Sequence, residues 1–259
     1  MASLALMCHE PGSSPPIAPV AGGAVEHHHL VLSSADGTRF SAFEALAGRP
    51  DGPAVVVMPD VRGLHSFYEE LALRLAEHDY TAVAIDYFGR TTALGIRDNS
   101  FDHWSHVEQT TIETITSDVA AAVAHLRSSR PDRPVFTLGF CFGGSASWHQ
   151  AASGHGLAGS IGFYGNPDRP GFPTGARSVI DRIPDMDCPI LGLMGGDDPG
   201  IPTDLIDRFR DALDAAGIVS DIVVYPGAPH SFFDRRAADF AEASADAWER
   251  VLAFVAANG

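Results

Sequence analysis

A thiol, an imidazole and a carboxylate can together transfer an acyl group, and the chain carries all three in telling places. The thiol is Cys141, within Thr137-Leu138-Gly139-Phe140-Cys141-Phe142-Gly143-Gly144-Ser145. An apolar run leads into G-x-C-x-G-G and helical spacing leads out of it. This is the strand–turn–helix pattern of a nucleophile elbow, with cysteine where G-x-S-x-G carries serine. The turn is tight, so the residues two before and two after the nucleophile must be small, and Gly139 and Gly143 meet that need. A thiol so placed stands at a helix N-terminus, where the dipole favours the thiolate. The Phe142 N–H becomes an oxyanion donor. No G-x-S-x-G occurs anywhere in the chain, so no serine competes for the role.

A cysteine elbow needs a base. In α/β-hydrolases the order along the chain is nucleophile, acid, histidine, with the acid after a later strand and the histidine after the last one. Asp198 meets the first condition in Leu191-Gly192-Leu193-Met194-Gly195-Gly196-Asp197-Asp198-Pro199-Gly200-Ile201-Pro202, with Asp197 as the alternative acid. His230 meets the second in Tyr225-Pro226-Gly227-Ala228-Pro229-His230-Ser231-Phe232-Phe233. The imidazole would take the thiol proton and return it to the leaving alkoxide. The carboxylate would fix its tautomer and stabilise the imidazolium.

The elements that must position these groups follow from periodicity. Leu30–Ser33 and Arg39–Leu46 flank Ala35-Asp36-Gly37, a hairpin signal. The continuous apolar run at 54–58 predicts a strand buried on both faces, and 81–85, 135–140, 157–164, 189–194 and, last, 221–225 read as further strands. Helical spacing appears over 67–78, 111–128, 143–152, 203–216 and 237–256, and Gly217 supplies a C-terminal stop. Strands alternating with helices predict an α/β fold, and the elbow motif makes the expected fold that of an α/β-hydrolase. Its central sheet is mostly parallel, with helices on both faces and an antiparallel N-terminal hairpin. The division expected is a flexible tail over residues 1–25, rich in Pro and Gly, and one domain over 26–259. Residues 89–110 break the alternation after a parallel strand, as an active-site lid would.

Composition excludes several classes. The formal net charge is −16, and every one of the 17 basic residues is arginine. Lysine chemistry is therefore absent. The acidic balance argues against nucleic-acid and anionic-membrane partners. Cys8, Cys141 and Cys188 are odd in number and widely spaced, which predicts a reducing compartment, read here as the cytoplasm. No apolar run reaches the length of a membrane span. Adjacent histidines at 27–29 would point alternately to opposite faces of a strand, and no metal or other cofactor is expected. The partner expected is a small molecule, met by a monomer or homodimer.

With these motifs in view, the chain from about residue 27 onward resembles the dienelactone hydrolase family. The resemblance is carried by G-F-C-F-G-G at 139–144, G-G-D-D-P-G-I-P at 195–202 and P-G-A-P-H-S-F-F at 226–233. P-D-V-R-G at 59–63, I-D-Y-F-G-R at 85–90 and G-F-Y-G at 162–165, which includes Tyr164, add to it. The resemblance implies a Cys141–His230–Asp198 triad, favouring Asp198 over Asp197, and a second oxyanion N–H at Val61. It places Asp60 where the family's founding enzymes carry a glutamate beside the thiol. A carboxylate there opposes a thiolate, so a resting thiol that is largely neutral is expected. It places Arg90 at one of two arginines that hold a substrate carboxylate. Asp234 stands at the other, with Arg235 next to it, and Arg62 offers a replacement fork. Pairing with Asp60, Asp86 or Asp234 is the structural alternative for these arginines. Trp104, Phe101 and Phe88 either line an apolar pocket or belong to the core. The activity implied is hydrolysis of a small ester or lactone, of the carboxymethylenebutenolidase kind, through a thioester. A general carboxylesterase or thioesterase is the alternative, and a non-catalytic binding protein on the same scaffold is weighed below both.

Overall fold

The computed structural model describes residues 14–20, 25–98 and 100–259. Short aliphatic runs form the middle of an eight-stranded sheet. The strands are β1 (Glu26–Ser33), β2 (Arg39–Leu46), β3 (Ala54–Met58), β4 (Thr81–Ile85), β5 (Val135–Phe140), β6 (Gly159–Phe163), β7 (Ile190–Gly195) and β8 (Ser220–Tyr225). Their spatial order is β1-β2-β4-β3-β5-β6-β7-β8. β3 to β8 run parallel, whereas β1 and β2 form an antiparallel hairpin whose second strand pairs antiparallel with β4. Every residue of β3 to β7 is buried, because helices cover both faces.

The helices are α1 (Ser66–Glu77), α2 (His103–Val107), α3 (Ile112–Leu126), α4 (Phe142–Gln150), α5 (Thr203–Ala216) and α6 (Ala241–Asn258). α3 packs on α4, and α4 meets α5 where the Trp148 and Phe209 rings lie 4.9 Å apart. α1 and α6 meet where His78 and Trp248 lie 5.8 Å apart. A capping box between Thr111 and Thr114 starts α3, and left-handed Gly217 ends α5. None of these helices is long and apolar enough to cross a membrane.

Three expectations need adjustment. Most of the tail expected over 1–25, Cys8 included, lies outside the described residues. Its described piece, 14–20, is anchored: Ile17 packs against the core and the Val20 N–H donates to Glu77 Oε2 at 3.0 Å. β1 begins at Glu26 and takes in the three histidines. His28 Nε2 lies 3.3 Å from Glu44 and His29 Nδ1 3.6 Å from Glu69. Finally, 89–110 contains the short helix α2, whose five residues are too few to show a period.

Candidate active site

The chain leaves β3 toward β4 on one side and returns to β5 on the other. Open α/β sheets place their ligand crevice at such a reversal, beyond the carboxyl ends of the strands. Asp60 and Val61 follow β3, Cys141 follows β5, Asp198 follows β7 and His230 follows β8, so all of them come to this end.

Cys141 has φ 55° and ψ −111°, a conformation that costs a non-glycine residue energy and marks a forced turn. Two glycines make the turn possible. A Cβ on Gly139 would lie 1.9 Å from the Gly143 carbonyl oxygen. One on Gly143 would lie 2.1 Å from the Met58 oxygen and 2.3 Å from that of Pro59. The elbow is therefore pressed onto the end of β3, which brings the Val61 turn beside it. The Cys141 N–H is bound to Phe163 O at 3.0 Å. The side chain ends at the first turn of α4, where N–H groups lack intrahelical acceptors.

His230 Nδ1 lies 2.6 Å from Asp198 Oδ2, and the Gly200 N–H holds the other oxygen of that carboxylate at 2.8 Å. Both residues are buried, whereas Asp197 points outward into solvent. Nε2 is buried and finds no oxygen or nitrogen partner among the described residues. Burial opposes a charge on this imidazole, but the Cys141 sulfur and the Asp198 bond outweigh it and raise its pKa to about 10. An imidazolium here attracts a thiolate, whereas the expectation of a neutral resting thiol rests on the opposing carboxylate at position 60. Asp60, the basis of that expectation, is buried and accepts the Arg62 N–H at 2.8 Å. Cys188 differs sharply: burial pushes its thiol up to about 12.

Behind the triad sits a second carboxyl group. Asp234 is buried and accepts the Tyr164 hydroxyl at 3.2 Å. Burial, reinforced by the charge of Asp60, pushes its pKa up to about 7, against the Arg235 N–H that lowers it. Tyr164 in turn packs on His230, ring centroids 4.9 Å apart.

A cavity of about 280 Å³ opens onto Cys141 and His230. Phe142, Ser145 and Tyr164 line it near the sulfur, Asn166, Arg169 and Phe172 on one side, and Pro199, Gly200 and Ile201 on another. Several residues implied by the resemblance are elsewhere. Arg90 does not reach the cavity. Its NH1 bonds both oxygens of Asp118 at 2.8 Å and its Nε bonds Asp36 at 3.0 Å, so the guanidinium is taken up by carboxylates. Trp104 is half-buried against His103, and Phe101 stacks on His106 at 4.8 Å beside Phe88. These rings pack on one another, and no described residue of 89–110 lines the cavity. Arg62 and Arg235 are half-buried and likewise outside its lining.

The wall over the cavity comes instead from the connection after β6, which the sequence reading passed over. Asn166 to Phe172 is pinned there by Ser145 Oγ donating to Asn166 O at 2.9 Å and Asn166 Nδ2 donating to Gly200 O at 2.9 Å. Its signal was available: Gly165-Asn166-Pro167-Asp168-Arg169-Pro170-Gly171-Phe172-Pro173 is a long turn-forming stretch after a parallel strand. Among the described residues no group of His, Cys, Asp and Glu is placed to hold a metal ion. The arrangement offers a nucleophile, a base oriented by an acid, and backbone donors at a helix end, the set needed for acyl transfer.

The family model described as the dienelactone hydrolase family matches residues 40–258. Two relatives bear the name "Putative carboxymethylenebutenolidase". The one from Methylorubrum extorquens is 32% identical over 203 residues, covering 77% of this chain and 70% of its own. The one from Escherichia coli is 31% identical over 224 residues, covering 83% of this chain and 82% of its own. The crystal structure of a "Putative Dienelactone Hydrolase" from Klebsiella pneumoniae subsp. pneumoniae superimposes with a TM-score of 0.79 at 27% identity, covering 90% of this chain and 99% of that one.

Proposed function

The chain belongs to the dienelactone hydrolase family, and from that premise we propose that it hydrolyses a small ester or lactone through a thioester formed at Cys141. The Cys141 sulfur attacks the carbonyl carbon, and the oxygen takes the negative charge. The Phe142 and Val61 N–H groups hold that oxyanion. His230, oriented by Asp198, carries the thiol proton and passes it to the leaving alkoxide. Water then attacks the thioester, His230 accepts its proton, and the acid departs as the thiolate returns.

One observation carries the reading: the strained elbow thiol and the His230–Asp198 pair, bonded at 2.6 Å, meet on one cavity. A cavity of about 280 Å³ suits a small substrate. The reading extends to a reducing cytoplasm and to a monomer or homodimer. It is supported by two buried cysteines, Cys141 and Cys188, that form no disulfide with each other.

The test is steady-state hydrolysis of p-nitrophenyl acetate. Cys141→Ala lowers kcat by about a thousandfold or more while circular dichroism stays native. A variant retaining most of the activity contradicts the assignment.

A further inference from the structure

Arg169 is the residue of the cavity wall whose chemistry the hydrolytic steps leave unused. It follows β6 in the pinned connection and shares the cavity with Cys141 and His230. Its guanidinium carbon lies 3.9 Å from the centroid of Phe172. The Phe172 ring meets that of Phe142 nearly edge-on at 5.0 Å. The cation is thus held against an aromatic face two rings from the elbow. It is half-buried, yet it makes no ion pair or hydrogen bond with any described residue. The neighbouring carboxylate, Asp168, is engaged by Arg208 at 2.9 Å. Burial lowers the Arg169 pKa and the Cys141 sulfur, on the same cavity, raises it.

A guanidinium partly stripped of water, with no carboxylate partner among the described residues, is complementary to an anion that arrives with the ligand. The position where the resemblance expects a substrate-binding arginine, Arg90, cannot supply that cation, because two aspartates hold it. At the second expected position stands Asp234, buried beside Tyr164. We propose that Arg169 is a specificity-determining residue that pairs with a negatively charged substituent, such as a carboxylate, borne by the substrate a short distance from the scissile carbonyl. The inference rests on Cys141 facing this cavity as the reactive group, and its test does not require turnover.

The test compares alkylation of Cys141 by iodoacetate and by iodoacetamide, probes of nearly equal size that differ in charge, followed by mass spectrometry of the Cys141 peptide. In the unmodified chain the iodoacetate-to-iodoacetamide rate ratio exceeds that of Arg169→Gln by about tenfold or more, the size of a lost charge-assisted bond. Arg169→Lys keeps part of the preference. An equal ratio in the parent and Arg169→Gln overturns the proposal. A second measurement needs no variant. Glutarate shields wild-type Cys141 from iodoacetamide at a lower concentration than glutaramide does, and equal shielding by the two contradicts the assignment. Loss of alkylation of Cys141 by both reagents would instead strike at the hydrolytic reading, so the two failures are separable.

Discussion

At the scale of single residues, two titrations carry the account. His230 has a pKa raised to about 10, with burial working against it and Cys141 and Asp198 working for it. An imidazolium beside the Cys141 sulfur would favour a thiolate there. Alkylation of Cys141 by iodoacetamide is therefore expected to persist below pH 7, and in His230→Gln its inflection is expected to rise toward the ordinary thiol value of about 8.5. A wild-type inflection already at that value contradicts the ion pair. Asp234 behaves differently from most carboxyl groups. Burial raises its pKa from 3.8 to about 7, so across that window the folded state binds a proton that the unfolded chain has released. Stability is therefore lost as pH rises from about 4 to 7, by up to about 1.4 kcal/mol per unit. Asp234→Asn keeps an acceptor for the Tyr164 hydroxyl and removes the titration. Thermal melts should show it gaining on the parent as pH rises to 8 and matching it at pH 4. A gap that does not vary with pH refutes this.

At the scale of elements, the same physics explains what the sequence reading could and could not see. The parallel strands were legible because burial on both faces demands unbroken apolar runs, as in Ala54–Met58. The elbow was legible because only glycine fits at 139 and 143, where any Cβ meets backbone oxygen. Arg90 was not legible. Its place after a strand fits substrate binding and ion pairing equally, and Asp118 lies 28 residues away on α3. The structure makes it a tie between elements: Arg90 joins Asp36 in the β1–β2 turn to Asp118, which is also bound by the Ser34 hydroxyl. Burial raises the Asp118 pKa to about 6 even with the arginine in place. Arg90→Ala leaves this carboxylate without its cation and is expected to cost about 3 kcal/mol in chemical denaturation. A change below 0.5 kcal/mol would show the tie to be weak. Residues 89–110 read as a lid on similarly ambiguous ground. Length and polarity signal a functional loop, but its rings pack on one another, and the cavity wall comes from the less conspicuous 166–172.

At the scale of the molecule, the topology does the positioning. Cys141, Asp198 and His230 are separated by 57 and 32 residues of chain, and no local pattern links them. They meet because three parallel strands, β5, β7 and β8, deliver the following loops to one edge. That Cys141, Asp198 and His230 would come to one end of the sheet was therefore readable, whereas the loops that shape the cavity between them were not. The acidic charge of −16 governs interactions with other large molecules and leaves the site's own electrostatics to a few buried groups.

The central claim is that acyl transfer passes through the sulfur of Cys141. Its most direct test is acid quenching of the protein within milliseconds of mixing with p-nitrophenyl acetate, followed by peptide mass spectrometry. The account predicts an acetyl group on Cys141, released by hydroxylamine, absent from Cys188 and absent throughout in Cys141→Ala. Turnover that continues with no adduct on Cys141, or with the acetyl group carried by another side chain, would contradict it.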